Sequence, residues 1–252
     1  GRNYLILCFN ALNIMMLSIV TPVLNGSRFI RDNIVSISQL TIPHEHIIVD
    51  GGSTDGTLDI LKEYPDLIII YQTDREGMYK AIDMGFQAAK GEYICWVNCD
   101  DRVIPNAYDR LYQYAVANQY DFVSSDGIQY FVNDNRTRLV RSTKYLKYFL
   151  QKGFFPFSQP SVLYTKKAYN QVNGLRYKLF KIIGDADLFI RMSHEQTLRF
   201  SYLSITTSVF IKYGNSLYDR SMNLIKKEEE IMNVKRSFTI RVLLRICRLL
   251  RI

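Results

Sequence analysis

The sequence predicts an α/β fold, in which a single domain has an open, mostly parallel central sheet with helices on both faces. Short apolar and β-branched runs alternate with segments of helical spacing from residue 17 to residue 124. The runs lack polar alternation, as expected of strands that are covered on both faces. Clusters rich in Asp follow three of the runs, where ligands bind in sheets of this kind.

Each element is predicted from its own local pattern. Strands are expected where β-branched residues run together, and helices where apolar residues recur every three or four positions and end near Gly or Pro. The predicted strands cover 17–23, 46–49, 67–71, 93–97 and a fifth that begins within 121–124. The predicted helices cover 29–40, 58–64, 78–89 and 105–118. Residues 125–215 are less regular, and no internal repeat is found.

Composition limits the classes of protein. The chain has 252 residues, of which 48% are hydrophobic and 22% charged, so it can fill one large core and is not a disordered chain. No apolar run is long enough to span a bilayer. The cysteines form no C-x-x-C pair and no zinc-ligand spacing, so we expect packed thiols, a reducing environment and a cytoplasmic location. They are Cys8, Cys95, Cys99 and Cys247.

Positive charge is concentrated at the C-terminal end. Residues 231–252 contain six basic residues and no acidic one, so this segment carries +6 of the net +8 and the rest of the chain +2. Nucleic acid is therefore not an expected partner of the main domain. Residues 221–252 are predicted to form a basic amphipathic helix, and residues 1–16, mostly apolar, an extension outside the fold.

Two interpretations of the C-terminal helix stay open. Its arginines recur every three or four positions and form one stripe, which suits an anionic membrane surface. Alternatively, the helix docks on the protein's own core and the arginines face water. The stripe consists of Arg241, Arg245, Arg248 and Arg251.

Three acidic motifs carry the chemistry, and each has a plain structural alternative. The carboxylate of Asp50, in DGGSTDGT, can accept a hydrogen bond from a flat base, or the motif is a capped turn. Asp100 and Asp101 repel each other unless a cation lies near them, which favours magnesium or manganese over a simple Asp-rich turn. Asp185 is a general-base candidate, or an acid favoured by a helix N-terminus.

The motifs in their order resemble glycosyltransferase family 2, whose members have the GT-A fold. They are SIVTPVLNG, IIVDGGSTDGT, EGMYKAIDMGFQAAKGEYICWVNCDD, SQPSVLYTKKAYNQVNGL and GDADLFIRM, between residues 17 and 210. Bacterial enzymes that build surface polysaccharides are the most similar members. The resemblance implies a GT-A domain over 17–220, with a nucleotide-sugar half (17–126) and an acceptor half (127–220).

The resemblance also assigns roles to single residues. It implies that Thr21 and Val23 flank the nucleotide base and that Asp50 binds uracil. It implies that Asp100, with Asp101 beside it, holds a divalent cation, manganese or magnesium, and that Asp185 deprotonates the acceptor hydroxyl. Asp74 and Asn98, which also follow strands, are further candidates for contacts with the donor.

Two residues depart from the family pattern. Asn98 occupies the first acidic position of the D-x-D motif, so Asp100 is expected to carry more of the metal binding. Gly184 stands where many members have Glu, and the loss of that negative charge is expected to give Asp185 a lower pKa than in those members. No Q-x-x-R-W sequence follows Asp185, which favours addition of one sugar over polymerisation.

The predicted function is that of an inverting, metal-dependent glycosyltransferase. It would move a sugar from a nucleotide sugar, with UDP the expected nucleotide, to a hydroxyl of a glycan or lipid-linked glycan. Two alternatives stay open: a sugar-phosphate nucleotidyltransferase and a non-catalytic subunit that binds nucleotide sugar or glycan. The expected location is the cytoplasm, with peripheral attachment to the inner face of the membrane as a further candidate.

Overall fold

A computed structural model describes residues 16–214, 220–234 and 237–250. The predicted extension 1–16, except Met16, lies outside the described residues, as do Cys8 and Arg251. The strands are β1 (Leu17–Val23), β2 (His44–Asp50), β3 (Ile68–Tyr71), β4 (Tyr93–Trp96), β5 (Arg102–Val103), β6 (Phe122–Phe131), β7 (Arg136–Val140), β8 (Val162–Thr165) and β9 (Phe200–Lys212). The helices are α1 (Ile30–Ser38), α2 (Thr57–Leu61), α3 (Met78–Ala88), α4 (Pro105–Asn118), α5 (Leu146–Gln151), α6 (Lys166–Gln171), α7 (Gly184–His194), α8 (Met222–Met232) and α9 (Phe238–Leu250).

The strands form one sheet in the order β3-β2-β1-β4-β8-β6-β9-β5, with β7 paired to β6. Its first half, β3-β2-β1-β4, is entirely parallel. In the second half β8 runs antiparallel to β4 and β6, whereas β6 and β9 are parallel. The α/β fold is thus confirmed, and the parallel part of the sheet is the half in which the strand–helix alternation was predicted.

Helices cover both faces of the parallel half, as its predominantly apolar strands require. On one face Phe86 of α3 and Phe189 of α7 pack with Val20 and Trp96. On the other face Ile37 of α1 and the apolar side of α4 pack with Ile19 and its neighbours in the sheet. Helix α3 lies close to β1 because residue 85 is Gly, where an added Cβ would come 2.5 Å from the Val20 side chain.

The C-terminal segment differs from the prediction of one helix over 221–252. It consists of two helices, α8 and α9, because Asn233 adopts the left-handed conformation (φ 50°) and ends α8. Helix α9 docks on the domain, where its buried Leu244 and Cys247 contact Phe149 and Phe154.

The arginine stripe of α9 is divided between water and the protein. Arg241 and Arg245 are exposed, as the docked interpretation predicts. Arg248 instead turns inward, where its guanidinium donates hydrogen bonds to the carbonyl oxygens of Arg141 (2.9 Å) and Phe155 (3.3 Å). Within the described ranges, no helix combines the length and apolarity needed to cross a bilayer.

The cysteines that the structure describes behave as predicted. Cys95, Cys99 and Cys247 are free thiols, and Cys95 and Cys247 are buried. Burial raises the pKa of Cys99 to about 12, so this thiol stays neutral beside the acidic residues that follow it.

Candidate active site

Parallel pairing brings the predicted acidic residues to one edge of the sheet. Strand β1 lies between β2 and β4, with Val23 opposite Asp50 and Val20 opposite Trp96. The three strands therefore end on the same side, and the turn at 98–101 follows β4 at the same edge as Asp50. This edge is where an open α/β sheet binds its ligands.

The Asp50 side chain is held in place by the backbone, but one of its two oxygens is unpaired within the described ranges. Its Oδ2 accepts hydrogen bonds from the backbone N–H groups of Gly52 (2.8 Å) and Ser53 (3.0 Å). Gly52 permits this turn because its φ is +89°. Oδ1 is buried and has no hydrogen-bond partner in the described part of the chain. A buried carboxylate oxygen without a donor is costly, so it indicates a place for a ligand N–H.

Asp101 has a structural position in the turn that it shares with Asp100. Asp101 is 1% exposed, and its Oδ1 accepts the backbone N–H of Ile211 at 2.9 Å. Its Oδ2 lies 3.4 Å from Nδ2 of Asn98, which donates to it. Asn33 donates from its amide to the carbonyl oxygens of Asn98 (3.0 Å) and Asp101 (2.9 Å). These contacts fasten the turn to α1 and to β9.

Asp100 is the more available of the two acids. It is partly buried, and no other residue of the described ranges donates a hydrogen bond to its carboxylate. Burial raises the pKa of Asp100, and burial together with the charge of Asp100 raises the pKa of Asp101 well above the ordinary range. Two neighbouring carboxylates that are buried and repel each other favour binding of a nearby cation.

The donor atoms beside Asp100 fit a divalent cation that is completed by phosphate. Oδ1 of Asn98 is buried and has no partner among the described residues, and it adds an amide oxygen to the Asp100 carboxylate. The described ranges contain no group of three or more His, Cys, Asp or Glu side chains arranged to hold a metal. Magnesium suits a site with one or two protein oxygens, since it keeps waters and substrate phosphates as its other ligands.

Asp185 reaches the same edge from the acceptor half of the chain. Four residues further along α7, Phe189 stacks on Trp96 with ring centroids 5.8 Å apart, so Asp185 lies one helical turn away from that contact. Its Oδ1 lies 3.0 Å from the hydroxyl of Tyr79, which belongs to the first turn of α3. Because α3 begins just after β3 ends, this contact places Asp185 at the carboxyl end of the sheet. Burial raises the pKa of Asp185 above its ordinary value.

Gly184 leaves room for the tyrosine that holds Asp185. A Cβ at position 184 would come 2.8 Å from the Tyr79 ring, so a larger side chain requires that ring to move. The absence of Glu at this position is visible in the sequence, but the packing of the Tyr79 ring against Gly184 is not.

Sequence reasoning missed Glu228 of α8. Its carboxylate is 1% exposed and accepts backbone N–H groups from Lys181 (2.6 Å), Ile182 (3.1 Å) and Ile183 (2.9 Å), immediately before α7. The only signal in the sequence is the position of Glu228 three residues after Ile225, on the side of α8 that is buried.

Three other residues were predicted to contact the nucleotide sugar, and their side chains are less suited to it. Thr21 is buried, with its hydroxyl 2.9 Å from Nε2 of His46, and burial lowers the pKa of that imidazole to about 3. Val23 packs in the core. Any contact of Thr21 or Val23 with a base therefore comes from the main chain. Asp74 is exposed in the loop after β3, where its Oδ1 accepts the N–H of Glu76 at 3.3 Å.

Arg28 and Tyr213 form a rim beside the acidic turn that the sequence did not reveal. The Arg28 guanidinium lies 5.4 Å from the centre of the Phe29 ring and 5.5 Å from that of Tyr213. Burial and the charge of Asp100 raise the pKa of Tyr213, which indicates that this side chain faces the acidic turn. The two residues are 185 positions apart, so no local motif links them.

The acceptor half adds polar groups next to the end of β4. Gln159 donates from Nε2 to the carbonyl oxygen of Trp96 at 2.9 Å. Its Oε1 and the hydroxyl of Ser158 are buried and lack hydrogen-bond partners within the described residues. Acidic groups from the first half and unpaired polar groups from the second thus border one edge, as expected of a site that binds two substrates.

Comparison with known proteins identifies the class of enzyme. Residues 18–196, more than half of the chain, match the family described as Glycosyl transferase family 2. The chain belongs to this family of glycosyltransferases.

Curated relatives carry glycosyltransferase names. Glycosyltransferase GlyG of Streptococcus pneumoniae is 27% identical over 237 residues, which cover 85% of this chain and 74% of that protein. Poly(ribitol-phosphate) beta-glucosyltransferase of Bacillus spizizenii is 37% identical over 115 residues, but these cover 42% of this chain and 18% of that protein.

Solved structures share the fold at low sequence identity. Residues 1–349 of TarS from S. aureus align with a TM-score of 0.69 and 16% identity, covering 88% of this chain and 67% of that one. The same protein in complex with UDP-GlcNAc aligns with a TM-score of 0.64 and 17% identity, covering 88% of this chain and 68% of that one. Mannosyltransferase PcManGT from Pyrobaculum calidifontis, in complex with GDP-Man and Mn²⁺, aligns with a TM-score of 0.61 and 15% identity. The alignment covers 91% of this chain and 68% of that one. These likenesses show the GT-A fold.

The two acids of the turn are expected to differ in their effect on stability. Asp101→Ala should lower the free energy of unfolding by about 1–3 kcal/mol, because the Ile211 N–H and the Asn98 amide lose their acceptor. Asp100→Ala should change it by less than about 1 kcal/mol. Urea denaturation of the metal-free protein measures both values, and equal losses would contradict the division between a structural and an available acid.

Proposed function

We propose that this chain is an inverting, metal-dependent glycosyltransferase that takes sugar from a UDP-sugar and adds it to a hydroxyl of a glycan, free or lipid-linked, during synthesis of a surface polysaccharide. The observation that carries the proposal is the anchored Asp50 carboxylate with one buried, unpaired oxygen, on the same sheet edge as Asp100 and Asp185. The names of its relatives and the ligands bound by its structural neighbours agree with it, since they include a poly(ribitol-phosphate) glucosyltransferase and a UDP-GlcNAc complex.

The donor half binds and orients the nucleotide in this proposal. Oδ1 of Asp50 accepts the N3–H of uracil, while Oδ2 keeps its two backbone donors. Asp100, with the amide oxygen of Asn98, would hold the divalent cation, and Arg28 lies on the same rim. A bound magnesium or manganese ion supplies positive charge that stabilises the departing diphosphate.

Asp185 acts as the general base in this proposal. It takes the proton of the acceptor hydroxyl as the oxygen attacks the anomeric carbon, and the bond to the diphosphate breaks with its electron pair staying on the phosphate oxygen. Attack from the face opposite the leaving group inverts the anomeric centre. The Tyr79 hydroxyl keeps the Asp185 carboxylate in place at 3.0 Å.

Asp50→Asn is a sharp test of which nucleotide binds, because it replaces one acceptor oxygen with an NH₂ donor and changes little else. The Asn oxygen can still accept the N–H groups of Gly52 and Ser53, which leaves its NH₂ group facing uracil N3–H. UDP affinity should fall about tenfold to a hundredfold, whereas the affinity for CDP, whose N3 is an acceptor, should rise relative to UDP. Calorimetry with manganese present measures both affinities.

Asp55→Asn, in the same loop, is the matched control, because it removes the same charge without altering residue 50 and should preserve the preference for UDP. An unchanged preference in Asp50→Asn would remove Asp50 from the base site. UDP binding without transfer of any sugar would favour a non-catalytic subunit, and release of pyrophosphate would favour a nucleotidyltransferase.

Asp185→Asn should lower kcat by about a hundredfold to ten-thousandfold, because the amide cannot accept the proton. In the wild-type enzyme, kcat should fall as pH drops through the raised pKa of Asp185, with a midpoint above the ordinary aspartate value of about 3.9. Initial rates with labelled UDP-sugars across pH measure this. The control is Asp59→Asn at an exposed position, whose kcat should equal that of the wild type. Undiminished transfer by Asp185→Asn would exclude Asp185 as the general base.

We also propose that the outer face of α9 lies on an anionic membrane surface. Phe238 (76% exposed) and Leu249 (75% exposed) point away from the docked side of the helix and lie among the exposed Arg241 and Arg245. Apolar side chains flanked by arginines suit the interface of an anionic bilayer.

The neighbouring surface has the same character. On α5, which packs against α9, Tyr148 is 40% exposed and the ammonium group of Lys152 lies over its ring. Residues 135–184 contain eleven basic residues and no acidic one.

Reversing the two exposed charges, Arg241→Glu with Arg245→Glu, should weaken binding to phosphatidylglycerol-containing vesicles about tenfold or more, because each basic residue near such a surface contributes about 1 kcal/mol. Vesicle co-sedimentation measures it. The control is Lys90→Glu with Arg110→Glu, which makes the same charge change elsewhere and should bind as wild type. Equal losses in both variants, or equal binding to neutral phosphatidylcholine vesicles, would contradict this orientation.

A further inference from the structure

The segment that precedes α7 is fastened by a side chain from the far C-terminal part of the chain. Glu228 accepts three backbone N–H groups, with Oε1 bound to that of Lys181 and Oε2 to those of Ile182 and Ile183. Ile183 is the N-cap residue of α7 and its side chain makes no capping hydrogen bond, whereas Oδ1 of Asp185 accepts the N–H of Ala186 at 2.9 Å. A carboxylate is the group that best satisfies free N–H donors at a helix N-terminus.

Packing holds Glu228 firmly at this place. Ile225, one turn earlier on α8, is 3% exposed and packs with Phe180, Ile182 and Ala186. Because Glu228 is itself buried, its three hydrogen bonds are shielded from water and are stronger than the same bonds at the surface.

A series of contacts leads from Glu228 to Asp185. The Tyr79 hydroxyl shares its one proton between two acceptors, the carbonyl oxygen of Ile182 at 2.9 Å and Oδ1 of Asp185 at 3.0 Å. Glu228 fixes the peptide units of 181–183, these fix the tyrosine, and the tyrosine fixes the carboxylate.

We propose that Glu228 is a positioning residue for Asp185: it clamps the backbone ahead of α7 and sets both the place and the electrostatic surroundings of the base. This inference rests on the proposed role of Asp185. It goes beyond that role because it makes α8, which lies outside the predicted glycosyltransferase domain and outside the family match, a working part of the site.

The titratable groups that face Asp185 are few. Three such groups interact with Asp185: Tyr79 from α3, Tyr164 from β8 and Glu228 from α8. Both tyrosines have raised pKa values because they are buried, so they stay neutral. Burial is the main cause of the raised pKa of Asp185, and Glu228, the one carboxylate among these three groups, adds to it.

Glu228→Gln removes the charge and keeps the size of the side chain. The pKa of Asp185 should fall by about half a unit or more, because a nearby like charge is lost. Carbon-13 NMR of protein labelled at its aspartate carboxyls measures this pKa, and the Asp185 signal is assigned by its absence in Asp185→Asn. In the transferase assay the acidic limb of the kcat profile should move by the same amount, with kcat lowered several-fold and the donor KM unchanged.

Glu230→Gln is the matched control, since Glu230 is an exposed residue of the same helix and loses the same charge. It should leave the Asp185 titration unchanged. Glu228→Asp keeps the charge but withdraws it by one methylene, and should shift the titration less than Glu228→Gln does. This second variant decides the matter if the first does not fold.

A purely structural role predicts a different result: lower thermal stability of the Glu228 variants with an unchanged Asp185 titration. That result, or a rise of the Asp185 pKa, overturns the inference. The NMR measurement needs no turnover, so it decides the role of Glu228 even if the chain transfers no sugar, in which case the proposed function alone fails.

Discussion

The parallel pairing of β1 with both β2 and β4 is the constraint on which the candidate site depends. Because parallel strands end on the same side, the residues that follow each strand meet at one edge. A slip of one residue would turn every side chain of a strand to the opposite face, and the buried apolar side chains prevent it. Gly85 contributes by letting α3 approach Val20 closely, which holds the strand against its covering helix.

Carboxylates at this edge fall into two groups according to their hydrogen bonds. Asp101 and Glu228 are almost fully buried, and both of their oxygens accept donors from the protein. Asp50 keeps one unpaired oxygen, and Asp100 accepts no hydrogen bond from any other described residue. Carboxylates satisfied by the protein stabilise loops, whereas an acceptor left unpaired in the interior favours a ligand. This distinction separates Asp101 from Asp100, which the sequence analysis treated as one metal-binding pair.

The surroundings of Asp185 depend on residues that are distant in the chain. Without an acidic neighbour at position 184, the expectation from the sequence was a pKa lower than in family members that have Glu there. In the folded chain burial raises the pKa of Asp185 above its ordinary value, and the charge of Glu228 from another helix adds to this. Gly184 is itself explained by Tyr79, whose ring occupies the space that a side chain at this position would need.

Local pattern alone determined the alternation of strands and helices up to residue 124, the helix at Pro105–Asn118 and the acidic motifs that follow the strands. These features depend on side-chain periodicity and on Pro and Gly, whose effects act within a few residues. Only the tertiary structure decided that Asp101 is bound to Ile211, that Arg28 meets Tyr213, that Arg248 turns inward and that Glu228 reaches α7. Each of these contacts joins segments far apart in the chain, and which of them meet depends on how the whole sheet and its helices pack.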